Sequence, residues 1–134
     1  MSKWIVMAAF LCTGLAACGG GGGSGVSGSK QLVSLSAAEV TDLCEYFVDL
    51  AGAERMVDCG GGLTITIGGG SVSECVIGLQ ETQGQFPGCT ATVGNAESCM
   101  EALTDLTDAQ LCSDGPLPTA CQPLFNASCG GGGL

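Results

Sequence analysis

The sequence predicts a small disulfide-rich domain that is mainly α-helical, with three to four short helices and a minor two-stranded β element. Two serine capping boxes, each followed by apolar residues at helical spacing, predict helices. A short alternating segment between two glycine triplets predicts a strand. Eight of the ten cysteines lie within residues 31–129, the part of the chain able to fold, and such cross-links stabilise domains whose core is small.

The first helix is predicted from both of its ends. Ser36 and Glu39 form a capping box, in which each side chain accepts a hydrogen bond from the other residue's backbone N–H. Gly52 is a typical helix end. Between them, one face carries the apolar residues Val40, Leu43, Cys44, Phe47 and Leu50.

Two further helices are predicted downstream. Ser71 and Glu74 form a second capping box, and we expect this helix to end before the turn at residues 84–88. Asn95 is the predicted N-cap of a third helix. Residues 116–129 contain two prolines, which allow a short helix at most.

The β element is predicted at residues 63–67, where Leu and Ile alternate with Thr between glycine triplets. Residues 89–93 alternate weakly, and we expect them to supply the second strand. The glycine triplets match neither a dinucleotide-binding fingerprint nor a lysine-bearing phosphate loop.

An export signal is predicted at the N-terminus. Lys3 is the only charged residue before position 30, and residues 4–17 are almost entirely apolar. As a helix these fourteen residues would rise only about 21 Å, short of the ~30 Å hydrocarbon core. The pattern is typical of a signal peptide that is removed, here residues 1–17. Residues 14–16 also fit an ordinary small-x-small cleavage site, which would end a plain secretory signal.

The end of this signal, Leu15-Ala16-Ala17-Cys18, resembles the lipobox of bacterial lipoproteins. The resemblance implies that the chain is cut before Cys18 and that the Cys18 thiol is diacylated, so that membrane lipid holds the protein. Gly19 is not the aspartate that retains many lipoproteins at the inner membrane. The resemblance therefore implies a lipid-anchored protein of the bacterial cell envelope, at the outer membrane, facing the periplasm or the surface.

The remaining chain divides into three predicted parts. Residues 18–30 are the lipidated cysteine and a Gly/Ser tether, which as a coil would span roughly 20 Å. Residues 31–129 are the disulfide-rich domain, and residues 130–134 are a disordered tail. By its cysteine spacing and its Cys-Thr-Ala-Thr-Val segment, the domain resembles uncharacterised small Cys-rich lipoproteins of diderm bacteria, a resemblance that implies no activity.

The cysteines predict four disulfides. No two of the eight are closer than eight positions and the chain has no histidine, so a zinc or iron–sulfur site is not expected. Separations of 15, 14 and 13 residues favour a repeated unit and sequential pairing, one of 105 patterns. That pairing is Cys44–Cys59, Cys75–Cys89, Cys99–Cys112 and Cys121–Cys129.

Charge and residue inventory restrict the possible functions. After signal removal Lys30 and Arg55 face thirteen acidic residues, which excludes a basic nucleic-acid surface. Without histidine there is no ordinary general base, so we expect no enzyme, no catalytic residue and no cofactor. Specific calcium binding is a weaker possibility, because no EF-hand loop surrounds the nearby acids Asp105, Asp108 and Asp114.

Two functions remain after these exclusions. The first is an envelope interaction or structural module that contacts an unknown protein or glycan. The alternative is a disulfide-stapled protease inhibitor that presents a rigid loop, either residues 84–88 or residues 113–118. Inhibition assays against proteases would separate the two.

Overall fold

The computed structural model describes residues 23–130, in which helices dominate and two strands form one antiparallel sheet. The predicted fold class is confirmed. The signal peptide, Cys18 and residues 131–134 lie outside the described residues. The helices and strands are α1 (Ala37–Ala51), β1 (Arg55–Asp58), β2 (Thr64–Ile67), α2 (Val72–Gln85), α3 (Val93–Thr104) and α4 (Asp108–Leu111). Short 3-10 helices occupy Leu32–Ser34, Thr119–Leu124 and Ala127–Cys129.

The capping boxes place the first two helices as predicted. Ser36 and Glu39 cap α1 reciprocally, and the Gly52 N–H bonds the Val48 carbonyl at its end. The box of Ser71 and Glu74 likewise begins α2. This helix continues to Gln85, two residues beyond the predicted end.

The third helix begins earlier than predicted, because Thr92 and not Asn95 is its N-cap. The Thr92 Oγ1 accepts the Asn95 N–H at 3.3 Å, and the Asn95 Oδ1 accepts the Thr92 N–H at 3.0 Å. Asn95 is therefore the third helical residue and completes a capping box in the place that Glu usually takes.

The predicted strand is confirmed, but its predicted partner is wrong. β2 pairs with β1, with Met56 opposite Thr66, and the connecting loop contains three glycines at positive φ. Such a short loop brings two strands together at little cost in chain entropy. In residues 89–93, Thr92 forms only an isolated bridge, to Gln31, before α3 begins.

The hydrophobic core lies where α1 packs against α2 and α3. Leu43, Val40 and Val93 are at most 1% exposed and are its most completely buried aliphatic side chains. Val40 and Leu43 stand three positions apart and so share one face of α1, as the predicted spacing requires. The main core cluster excludes the hairpin, whose one buried residue is Val57.

All eight cysteines within residues 31–129 form disulfides, but the sequential pairing and the repeated unit are wrong. Cys44–Cys75 joins α1 to α2, and Cys99–Cys121 joins α3 to a 3-10 helix. The pairs Cys59–Cys112 and Cys89–Cys129 link still more distant parts of the chain. The four pairs are separated by 31, 22, 53 and 40 residues respectively. Packing of the helices, and not spacing along the chain, decides which sulfurs meet.

The described part of the predicted tether does not form a free coil. We call residues 23–30 the lead segment. The carbonyls of Gly28 and Lys30 accept the N–H groups of Gly94 and Val93, both at 2.9 Å. These are the first two N–H groups of α3, which its own turns leave unpaired. The lead segment therefore caps α3 and belongs to the folded domain.

Candidate functional site

A cavity of about 450 Å³ lies between the hairpin and the helices, and we call it the hairpin cleft. Met100 and Leu103 reach it from α3, where their spacing of three places them on one face. Leu50 at the end of α1, Ile67 of β2 and Leu111 of α4 complete the aliphatic lining. With Arg55 of β1, the lining comes from five elements of the domain.

Arg55 is the charged residue in the lining of the hairpin cleft. Its Nη1 donates to Asp108 Oδ1 at 2.7 Å, which links the hairpin to α4. The two side chains are 49% and 64% exposed, so water screens the pair and its contribution to stability is below about 1 kcal/mol. The guanidinium is therefore held at the mouth of the cleft without being buried.

The hairpin is attached to the rest of the domain at few points. Cys59 and Cys112 bridge it to the end of α4, beside the Arg55–Asp108 pair. At its base, Gly68 has φ +74° and lies so close to the backbone of residues 51–53 that a Cβ would be 2.6 Å from the Ala53 carbonyl. The disulfide and this tight base fix the wall that Ile67 contributes to the cleft.

A second cavity of about 340 Å³, the tail cavity, adjoins the first. It lies between the end of α3, α4 and residues 113–118. Leu103 and Leu111 line both cavities. Leu117, which is 44% exposed, lies on its outer wall.

The predicted inhibitory loops differ in their accessibility. In residues 84–88, Gln85 ends α2 and Phe86 is half-buried against the core. A Cβ on Gly130 would overlap the Phe86 ring, which shows how tightly this ring is covered. Residues 113–118, in contrast, are mostly exposed and stand between the bridged residues Cys112 and Cys121.

Two glutamates of α3 are hydrogen-bonded to other parts of the domain. Glu97 is half-buried and accepts the N–H and the hydroxyl of Ser24, at 2.8 and 2.7 Å. Glu101 accepts the Tyr46 hydroxyl at 2.9 Å. Burial and this bond to a carboxylate raise the pKa of Tyr46 to about 12.

Hydrogen bonds also shift two carboxylates. The Lys30 ammonium, assisted by the Ser36 backbone N–H, lowers the pKa of Glu39 to about 2. The hydroxyl and N–H of Ser71 lower the pKa of Glu74. Both glutamates are capping-box residues, so these shifts belong to helix ends and not to the hairpin cleft.

No group of three or more acidic or sulfur side chains within residues 23–130 is arranged to hold a metal ion. Of the three acids considered for calcium, Asp108 instead pairs with Arg55. The part of the chain from Gly23 to Gly130 also contains no helix long and apolar enough to cross a membrane.

The sequence did not reveal the hairpin cleft. β1 has four residues and a single buried one, Val57, which is too little for an alternating pattern to show in the sequence. The chain matches no protein-family model, no curated protein and no solved structure.

Proposed function

We propose that this chain is a lipid-anchored protein of the bacterial cell envelope, at the outer membrane, and that its domain is an interaction module. In this proposal the hairpin cleft binds a segment of an envelope protein. The lipobox-like residues Leu15-Ala16-Ala17-Cys18 support the anchor. The cleft supports the interaction, and it is the observation that carries the proposal.

The size and lining of the cleft favour a protein partner over a glycan. Its volume of about 450 Å³ lies within the ~300–1,000 Å³ range of ligand-binding pockets. The lining is mainly aliphatic, with Thr66, Thr104 and Arg55 as polar groups. Aliphatic surface gains most from burying apolar side chains, whereas a sugar needs many more hydrogen-bonding partners.

Site-specific photo-cross-linking in the native envelope tests the interaction. A photoreactive residue at Ile67 would lie in the cleft lining, whereas the same residue at the exposed Thr64, which is outside that lining, serves as the control. We expect a discrete cross-linked envelope protein from position 67 that is absent from position 64. Cross-linking that is equal at both positions, or absent from both, would contradict the proposal.

The anchor has its own test. Mass spectrometry of the mature N-terminus should find acylated Cys18, and Cys18→Ala should release the protein from the membrane fraction. A Cys18→Ala variant that stays membrane-bound would show that another feature holds the protein.

The alternative, protease inhibition, is favoured by one observation. Leu117 is 44% exposed in a short segment between two disulfide-bonded cysteines, as an inhibitory loop requires. Incubation with a panel of serine and cysteine proteases tests it. Inhibition that Leu117→Ser abolishes would support this function over the interaction module.

A further inference from the structure

The hairpin cleft and the tail cavity are adjacent, because Leu103 and Leu111 line both. We call the two together the joint groove. Its aliphatic lining includes Ile67 of the hairpin, Leu103 of α3 and Leu117, so it offers positions for more than one apolar side chain of a partner.

Three acidic residues are close in sequence to the residues that line the joint groove. Asp105 follows the end of α3, Asp108 begins α4, and Asp114 lies within the segment that walls the tail cavity. All three are exposed. They are close in sequence to the groove residues Leu106, Leu111 and Ser113.

The cations offer little to an acidic partner. Lys30 and Arg55 are the basic residues of the region between Gly23 and Gly130, against thirteen acidic ones. Lys30 pairs with Glu39 and Arg55 pairs with Asp108. An acidic segment would therefore meet net repulsion from the domain, whereas a basic segment would meet net attraction.

We propose that the joint groove binds a peptide segment with an aliphatic centre and lysine or arginine at its ends. This inference rests on the proposed function, in which the hairpin cleft binds a protein segment. The aliphatic centre covers Leu103 and Leu111, and the basic ends approach Asp105 and Asp114. Attraction at the rim raises the association rate, while burial in the groove slows dissociation.

Two synthetic peptides of about ten residues test the charge. Both have a centre of leucine and alanine; one carries two lysines at each end and the other two glutamates. Titration into the oxidised domain, followed by the methyl NMR signals, should show the lysine-ended peptide shifting Leu103, Leu111 and Leu117. We expect the glutamate-ended peptide to bind at least about tenfold more weakly. Raising the salt concentration should weaken binding of the lysine-ended peptide, because added salt shortens the Debye length from about 10 Å at 0.1 M to about 3 Å at 1 M.

Matched variants test the site. Leu117→Ser should weaken binding of the lysine-ended peptide, whereas Leu63→Ser, at an exposed leucine on the hairpin tip, should leave binding unchanged. Asp114→Asn should weaken it more than Asp42→Asn on the exposed face of α1. Equal binding of both peptides, no binding of either, or equal effects of the paired variants would overturn the inference.

The outcome is distinguishable from failure of the proposed function. A cross-linked partner at position 67 without binding of the lysine-ended peptide leaves the interaction module and removes this partner chemistry. Binding of the lysine-ended peptide without a cross-linked partner in the envelope would support this partner chemistry and contradict the interaction module.

Discussion

Replacing Cys59 and Cys112 together by alanine should free the hairpin and destabilise the domain by about 4 kcal/mol. This bridge spans 53 residues, the longest separation of the four. In the chain-entropy model, a loop of about this length lowers the entropy of the unfolded chain enough to contribute about 4 kcal/mol at 25 °C. Neither cysteine is buried, so the alanines leave little cavity and the entropic effect should dominate.

Urea denaturation measures the size of this effect. With a slope of about 1.5 kcal/mol/M, a loss of about 4 kcal/mol lowers the midpoint by about 2.7 M. Since a whole domain is stable by only ~5–15 kcal/mol, the variant should remain folded but marginal. An unchanged midpoint would refute the reasoning about chain entropy.

Hydrogen exchange measures where the effect falls. The amides of β1 and β2 should lose more protection than those of α1 and α3, because the hairpin lies outside the main core cluster and can open without it. The double variant Cys99→Ala/Cys121→Ala is the control. Its bridge spans 22 residues and is worth about 3 kcal/mol in the same model, but it joins α3 to a 3-10 helix and does not touch the hairpin. Retained hairpin protection in the first variant would show that packing alone holds the hairpin.

Three further changes test the core, a helix end and the hairpin base. Leu43→Ala should cost about 3 kcal/mol in urea denaturation because Leu43 is 0% exposed in the core; a loss below 1 kcal/mol would contradict this placement. Glu39 should titrate by NMR near pH 2, so its pairing with Lys30 favours folding above pH 4.5, and this stabilisation is lost as the pH falls from 4.5 to about 2. Lys30→Met should raise the pKa of Glu39. An unchanged titration midpoint of Glu39 in this variant would exclude the ion pair as the cause of the low pKa. Gly68→Ala should destabilise the domain by at least about 1–2 kcal/mol, because φ is +74° and the added Cβ would meet backbone carbonyls. Gly70→Ala is the control and should be tolerated, because there is open space around its Cβ. Equal thermal midpoints for the two variants would contradict the close packing at Gly68.

The elements that the sequence predicted are those with a local physical cause. A capping box needs only two residues three apart, so Ser36 and Ser71 marked the starts of α1 and α2 correctly. The start of α3 was displaced because Asn95, itself a good N-cap residue, acts here as the reciprocal partner of Thr92. The four residues of α4 are too few for helical spacing to show.

The features that the sequence did not predict depend on contacts between distant segments. Disulfide pairing follows from the packing of α1 on α2 and from the position of the hairpin beside α4, and spacing along the chain carries neither. β1 was missed because Arg55 and Asp58 end its four residues and leave little apolar alternation. The hairpin cleft combines residues from five elements, so it exists only once they are assembled.

The capping of α3 by the lead segment has a consequence for the proposed anchor. A free chain between Cys18 and the domain would allow an extended reach of about 40 Å for twelve residues. With residues 23–30 held on α3, only residues 19–22 separate Cys18 from Gly23, a contour of at most about 18 Å. The anchored domain would then rest against the lipid headgroups and sample only a thin layer above them. A partner that broke the Ser24–Glu97 hydrogen bonds and detached the lead segment from α3 would more than double the distance that the domain can reach from the membrane. The cap on α3 would then also limit how far the anchored domain extends.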